Sequence, residues 1–261
     1  MFRVINLQLA ALLACIAVTG CITADTKLDS GLSHFNAGLY GEAIPRLLSA
    51  VPDVERSNPT DPRLPTAYEA LAVMAAADKE NERAEEYYNK ALVLAKTRHP
   101  ADTTLNRNAL VHAGNYLLDQ KRPAEALPLL LEATSISERV GSMPRLLYAI
   151  DLDNLGLAYD GTKDYVKADE AGRHALEIMS GLDQTKEVVA ARAVVLYNAA
   201  ARLAELGKDA EAEAYYQQAL AHVADNGEQW RKNVVLTSYA QFLRKAGREA
   251  EAKALEDQVK K

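Results

Sequence analysis

The 261 residues carry 36 Asp plus Glu against 30 Lys plus Arg, a formal net charge of −6, so the basic footprint that phosphate backbones demand is missing and nucleic-acid binding is disfavoured. Hydrophobic residues make up 49% of the chain, with few β-branched alternations, and the two cysteines are Cys15 and Cys21. Such a composition reads as all-helical, packed through alanine, and held by a core rather than by disulfides.

The first element is an uncharged run from Val4 to Thr19, preceded by Arg3 and ending in Val18-Thr19-Gly20-Cys21. A membrane-spanning helix wants about 20 consecutive apolar residues, and Asn6 and Gln8 interrupt this shorter stretch, so it reads as a cleaved leader. Its small-small-Cys ending and single preceding cation resemble a bacterial lipoprotein signal. That resemblance implies removal of residues 1–20, diacylation of Cys21 on sulfur, a third chain on the new amino group, and a tether over residues 21–25. Each buried methylene adds roughly 0.8 kcal/mol and stable anchoring takes more than one chain, so such a cysteine holds firmly. Ile22, not Asp, follows it, which by the same resemblance implies the outer membrane of a Gram-negative bacterium, with the chain at the periplasmic face. The alternative is a secreted protein cleaved after an alanine. Without its leader the chain has Cys21 as its one cysteine and a charge of about −7.

A small-residue motif then recurs along residues 26–261. Repeat one (about 26–58) offers Leu28, Gly31, His34, Ala43, Leu47 and Ala50. Pro52, Pro59, Pro62 and Pro65 follow, which predicts an extended connection over Val51 to Pro65. Repeat two (65–99) has Tyr68, Leu71, Ala72, Ala75, Ala84, Tyr88 and Ala91, before a break at His99-Pro100. Repeat three (102–141) has Leu110, Ala113, Gly114, Leu117, Ala126, Leu130 and Ala133, and a break at Gly141 to Pro144. The clearest copy, repeat four (144–181), has Leu152, Leu155, Gly156 and Tyr159, a predicted turn at Gly161 to Asp164, then Ala168 and Ala175. A break at Gly181 to Asp183 leads to repeat five (184–226), with Leu196, Ala199, Ala200, Leu203, Ala212, Tyr216 and Ala219. Past Asn226-Gly227, repeat six (228–261) keeps Leu236, Tyr239, Ala240, Leu243 and Ala252. Atypical end copies are expected in an array whose outer faces have no neighbour. Glycines near Gly38 to Gly41, Gly207 and Gly247 predict further turns within pairs.

This pattern resembles the tetratricopeptide repeat, in which Leu, Leu-Gly and Tyr pack on helix A and Ala, a bulky residue and Ala on helix B. The alanines Ala43, Ala84, Ala126, Ala168, Ala212 and Ala252 are spaced 41, 42, 42, 44 and 40 apart. That is longer than the usual repeat of about 34, and is similar to the repeats of kinesin light chains and many bacterial proteins. The implied fold is all-α: a right-handed α-solenoid of about six helix-turn-helix repeats. A HEAT-like solenoid shares the length and is the alternative, without the Leu-Gly-x-x-Tyr and Ala-x6-Ala combination. Small residues at Gly31, Ala72, Gly114, Gly156, Ala200 and Ala240 are expected where paired helices cross closely.

The resemblance also implies that the A helices line a concave groove for a partner segment. The groove positions hold Asn108, His112, Asn115, Asp153, Asn154, Tyr197, Asn198, Thr237, Gln241 and Arg244, with Trp230 on the same stripe. Amides pair with both donors and acceptors, so they can grip a backbone without reading a charge. Asn115 and Asn154 match the two asparagines of tetratricopeptide domains that clamp C-terminal carboxylates. Val111, Val194 and Asn198 stand where that clamp has cations, so backbone gripping is carried over and the carboxylate clamp is not. The asparagines could equally bridge neighbouring helices or meet water, and Trp230 and Tyr197 could anchor a partner or cover a repeat junction.

The five histidines, His34, His99, His112, His174 and His222, sit on separate repeats without an i, i+4 pair, so no metal is expected. Without a glycine-rich phosphate loop or a free mature cysteine, neither an enzyme, a cofactor nor a small-molecule substrate is expected. The sequence therefore points to a membrane-anchored interaction scaffold that binds other proteins or peptides. The resembling lipoprotein families include pilus pilotins, adaptors for cell-wall hydrolases and members of outer-membrane assembly machines. The alternatives are a self-associating structural module and an envelope enzyme.

Overall fold

The computed structural model describes residues 23–224 and 229–259. Cys21, the leader and the Asn226-Gly227 break lie outside the described residues. Those described form twelve helices and no strand: α1 (Ala24–Asn36), α2 (Tyr40–Ser57), α3 (Arg63–Ala77), α4 (Asn81–Arg98), α5 (Thr103–Asp119), α6 (Pro123–Arg139), α7 (Arg145–Gly161), α8 (Tyr165–Ser180), α9 (Lys186–Glu205), α10 (Asp209–Ala224), α11 (Gln229–Lys245) and α12 (Glu249–Glu256). No helix among the described residues is long and apolar enough to cross a membrane. The chain divides into two compact units, Met1–Leu105 and Asn106–Lys261.

In the first unit α1 packs on α2 and α3 on α4, around a core of Leu28, Leu47, Val51, Val54, Leu64, Tyr68 and Leu71. Thr23 starts α1 by accepting the Thr26 amide on its hydroxyl at 3.2 Å, which satisfies one of the four free N–H groups of a helix start. A Cβ on Gly31 would fall 2.7 Å from Leu47 Cδ2, so the α1–α2 crossing admits only hydrogen there. Arg63, at the start of α3, donates to Asp29 at 2.7 Å and to Asp25 and Asp61 at 2.5 Å each, tying α3 to α1.

The proline-rich connection is shorter than its sequence predicts. Pro52 lies inside α2 and Pro65 in the first turn of α3, leaving residues 58–62 as the non-helical link. Helix-start N–H groups have no carbonyl to meet, so Pro65 costs nothing there. Pro52 deprives the Leu48 carbonyl of its helical donor, but both residues are exposed, so solvent is at hand.

In the second unit α7 packs on α8, α9 on α10 and α11 on α12, and α6 packs on α7. The B-helix alanines Ala126, Ala133, Ala168, Ala175, Ala212, Ala219 and Ala252 are fully buried. A Cβ on Gly114 would meet Leu130 Cγ at 2.8 Å, the counterpart of the Gly31–Leu47 crossing. Asp164 and Thr185 cap α8 and α9 by accepting the amides of Lys167 and Val188, each at 3.3 Å.

Turns within helix pairs end in a left-handed residue. It is Gly38, Gly207 and Gly247 in three of them, at φ of 74°, 71° and 75°, and Lys79, Lys121 and Lys163 in the other three, at 63°, 61° and 65°. The sequence places the fourth turn at Gly161 to Asp164. The structure has that turn, with Gly161 as the last residue of α7, where a Cβ would lie 2.4 Å from Pro123 Cβ, and with Lys163 in the left-handed position.

Candidate functional site: the A-helix face of the second unit

Polar side chains one repeat apart pair along the A helices α5, α7 and α9. Arg107 donates through Nε to Asp151 Oδ2 at 2.8 Å and through Nη2 to Oδ1, while Ser137 donates to Oδ2 as well. The residues are 6% and 1% exposed. Removing one member of such a buried pair leaves a charge uncompensated and costs about 3–5 kcal/mol, although the pair itself adds little net stability. Arg107 Nη1 also donates to Asn108 Oδ1 at 2.9 Å.

On α9, Arg202 grips Asp160 of α7 with Nε to Oδ1 and Nη2 to Oδ2, both 2.8 Å. Its guanidinium occupies the space between Gly156 and Gly172: a Cβ on either would lie 3.1 Å from Nη2 or 2.7 Å from Nη1. Gly156 keeps the expected close helix-on-helix contact, a Cβ there lying 3.4 Å from the Ala168 carbonyl oxygen of α8, and a side chain from the next repeat also presses on it. Burial raises the Asp160 carboxyl above the usual range, against the lowering effect of Arg202.

Asn198 of α9 donates through Nδ2 to Asp153 Oδ2 of α7 at 2.9 Å, with both residues buried. Burial pushes the Asp153 carboxyl up to about 6, the Asn198 bond and Arg202 charge opposing it and Asp160 adding to it. Its other oxygen, Oδ1, is buried without a hydrogen-bond partner, as is Oδ1 of Asn115 on α5. A buried acceptor left unpaired costs roughly 1–3 kcal/mol, so such atoms mark places where something else is to be bound or strain is held.

Asp153 and Asn154 line a cavity of about 520 Å³ between α7, α9 and α11, together with Leu146, Ile150, Lys186, Glu187, Ala190, Ala191, Val194, Val195 and Arg231. A second cavity of about 120 Å³ shares Val194 and Arg231 with it, and adds Ala193, Tyr197, Val223, Trp230, Val234 and Val235. Trp230 is 62% exposed, and the Arg231 guanidinium lies 4.9 Å from its ring centroid, a cation–π distance.

The predicted groove residues thus fall into four groups. Asp153, Asn154, Tyr197 and Trp230 come together around the two cavities. Asn108 and Asn198 are engaged within the chain, Asn198 as a bridge between neighbouring A helices. His112, Thr237 and Gln241 are exposed, and Asn115 is half-buried. Arg244 is tied down, donating to Glu249 at 3.1 Å and to Glu256 at 2.7 and 3.0 Å. The sequence reading missed Arg107, Asp151, Asp160 and Arg202. Their signal was separation by one repeat, 44 residues for Arg107–Asp151 and 42 for Asp160–Arg202.

Residues 106–180 match the tetratricopeptide repeat family model. No curated protein matches the chain in sequence. Among solved structures, the chain is similar to BtubC (BKLC) from P. vanneervenii, with 18% identity over 89% of each chain and a TM-score of 0.65. It is also similar to PilW, a type IV pilus biogenesis factor, with 17% identity over 90% of this chain and 91% of that one and a TM-score of 0.61. Pseudomonas aeruginosa pilF shares 22% identity over 90% of each chain, with a TM-score of 0.59. At these identities the likeness is one of fold, and it agrees with the helix pairs described above in making the chain an all-α repeat solenoid whose residues 106–180 match the tetratricopeptide repeat.

Proposed function

We propose that the chain is a lipid-anchored interaction scaffold of the bacterial envelope, holding an extended or helical segment of a partner protein against the A helices of its second unit. Tetratricopeptide folds serve as protein-binding scaffolds, and the family match covers the residues that build much of this face. The single observation that carries the binding site is the cavity of about 520 Å³ beside Asp153, which joins six apolar residues to the polar groups of Asp153, Asn154, Lys186, Glu187 and Arg231. The anchoring half rests on residues 3–21: one cation, an uncharged run and a small-small-Cys ending at Cys21. Ile22 supports sorting to the outer membrane.

Site-specific photo-crosslinking in living cells tests the groove. A crosslinking residue at Asn154, on the cavity wall, is expected to give discrete protein adducts, and one at Val166, 67% exposed on α8, is not. Val194→Glu, which charges the wall shared by both cavities, is expected to remove the Asn154 adducts. Equal labelling from Asn154 and Val166, or none from Asn154, sinks the assignment.

A further inference from the structure

Asp153 is a buried carboxylate with one oxygen satisfied by Asn198 and the other by nothing in the chain, and it lines an open cavity. An ionised carboxylate is acceptor-only, so whatever completes it must donate. The orphan Oδ1 of Asn115, on the preceding A helix, makes the same demand. Neither wants the carboxylate that an Asn-and-cation clamp would hold.

The walls of the cavity narrow the choice of donor. Leu146, Ile150, Ala190, Ala191, Val194 and Val195 offer an apolar sleeve that suits the methylene stem of a long side chain. No cation around the cavity hydrogen-bonds Asp153 Oδ1. Arg202 of α9 is paired with Asp160 of α7, Arg231 of α11 stacks over Trp230, and Lys186 and Glu187 are exposed at the start of α9. Asp153 Oδ1 is therefore a buried acceptor that no donor of the chain meets. A guanidinium gives a carboxylate charge-assisted bonds, whereas a neutral donor brings no charge to balance it.

We propose that the cavity between α7, α9 and α11 recognises a basic side chain, arginine above all, projecting from the partner segment, with Asp153 Oδ1 as its acceptor and the sleeve around Ile150 and Val194 holding its stem. The inference rests on the groove reading of the preceding subsection and adds the chemistry of what enters it. The acidic net charge of the chain draws such a segment in.

Selection of random twelve-residue peptides, acetylated and amidated at their ends, on the folded full chain tests this. Selected peptides are expected to share an arginine or lysine. Replacing that arginine with citrulline, its neutral isostere, is expected to weaken binding at least tenfold, read by the fluorescence of Trp230, the one tryptophan in the chain. Asp153→Asn, close in shape, is expected to erase the difference between arginine and citrulline while helical content and melting stay cooperative. Ala191→Arg, which leaves Asp153 in place and fills the cavity with a tethered guanidinium, is expected to block binding. Peptides that bind the groove equally well with citrulline, or an arginine preference that survives Asp153→Asn, would overturn the inference and leave the groove reading standing. Failure of any peptide to bind would overturn both.

Discussion

Arg202 fills the place of a side chain that Gly172 does not have: a Cβ there would lie 2.7 Å from Nη1 of the guanidinium. At the equivalent position of four of the other five B helices stand Leu47, Tyr88, Leu130 and Tyr216, each buried, and the last, α12, has Glu256. In repeat four both sides of the crossing, Gly156 and Gly172, are glycine, and α9 supplies the missing bulk as a charged group paired with Asp160.

Gly172→Leu, which installs the bulk found in four other repeats, is therefore expected to destabilise by about 3 kcal/mol or more, because it expels Arg202 and strands Asp160. Combining it with Arg202→Ala and Asp160→Asn is expected to recover much of that loss. Urea denaturation of the single and combined variants gives the coupling, expected above about 1 kcal/mol. Strict additivity would mean that Arg202 and Gly172 do not compete for one space.

Asp153 makes stability depend on pH in an unusual direction for an aspartate. Its folded pKa, about 6, lies above its unfolded one, so the native state holds the proton more tightly. The stabilising contribution is full below pH ~4 and is lost as pH rises through about 6. A shift of roughly two units corresponds to about 3 kcal/mol, so Asp153→Asn is expected to gain that much relative to the natural chain between pH 4 and pH 8. Denaturation midpoints across that range check it. A constant difference between the two proteins would show that the carboxyl is not desolvated.

Left-handed turn residues give a prediction of opposite signs. A side chain in this conformation costs roughly 1–2 kcal/mol that glycine escapes, offset in part by glycine's greater freedom when unfolded. Lys121→Gly and Lys163→Gly are expected to raise stability by up to about 1 kcal/mol, and Gly38→Ala and Gly207→Ala to lower it by a similar amount. Thermal melts of the four variants decide the matter, and a shared sign would contradict the turn assignment.

The anchor is tested by Cys21→Ser. Metabolic labelling with a fatty acid is expected to disappear, and the chain to remain either uncleaved or free of the membrane fraction. Unchanged labelling and fractionation would remove the lipid from the proposed function.

The repeat itself was legible in the sequence, because alanine and glycine are needed wherever two helices cross closely and recur with the period of the array. Ala43, Ala84, Ala126, Ala168, Ala212 and Ala252 are each fully buried, and the Gly31–Leu47 and Gly114–Leu130 contacts leave room for hydrogen alone. Local propensity misplaced two features. Pro52 continues α2 on an exposed face, and lysine takes the left-handed position in three turns, which glycine would occupy more readily.

The candidate site was only half legible. Position in the repeat brought Asp153, Asn154, Tyr197 and Trp230 to one face, since residues at fixed offsets on stacked helices share it. Which of the polar residues are free to act and which are already used was decided by tertiary structure. Asn198 is a bond to Asp153, Asn108 is held by Arg107, and Asp153 keeps an oxygen unpaired. The reason is physical: a sequence records that a donor or acceptor is present, but its partner stands about 45 residues away, and only the stacking of one repeat on the next fixes whether the two come within hydrogen-bond distance.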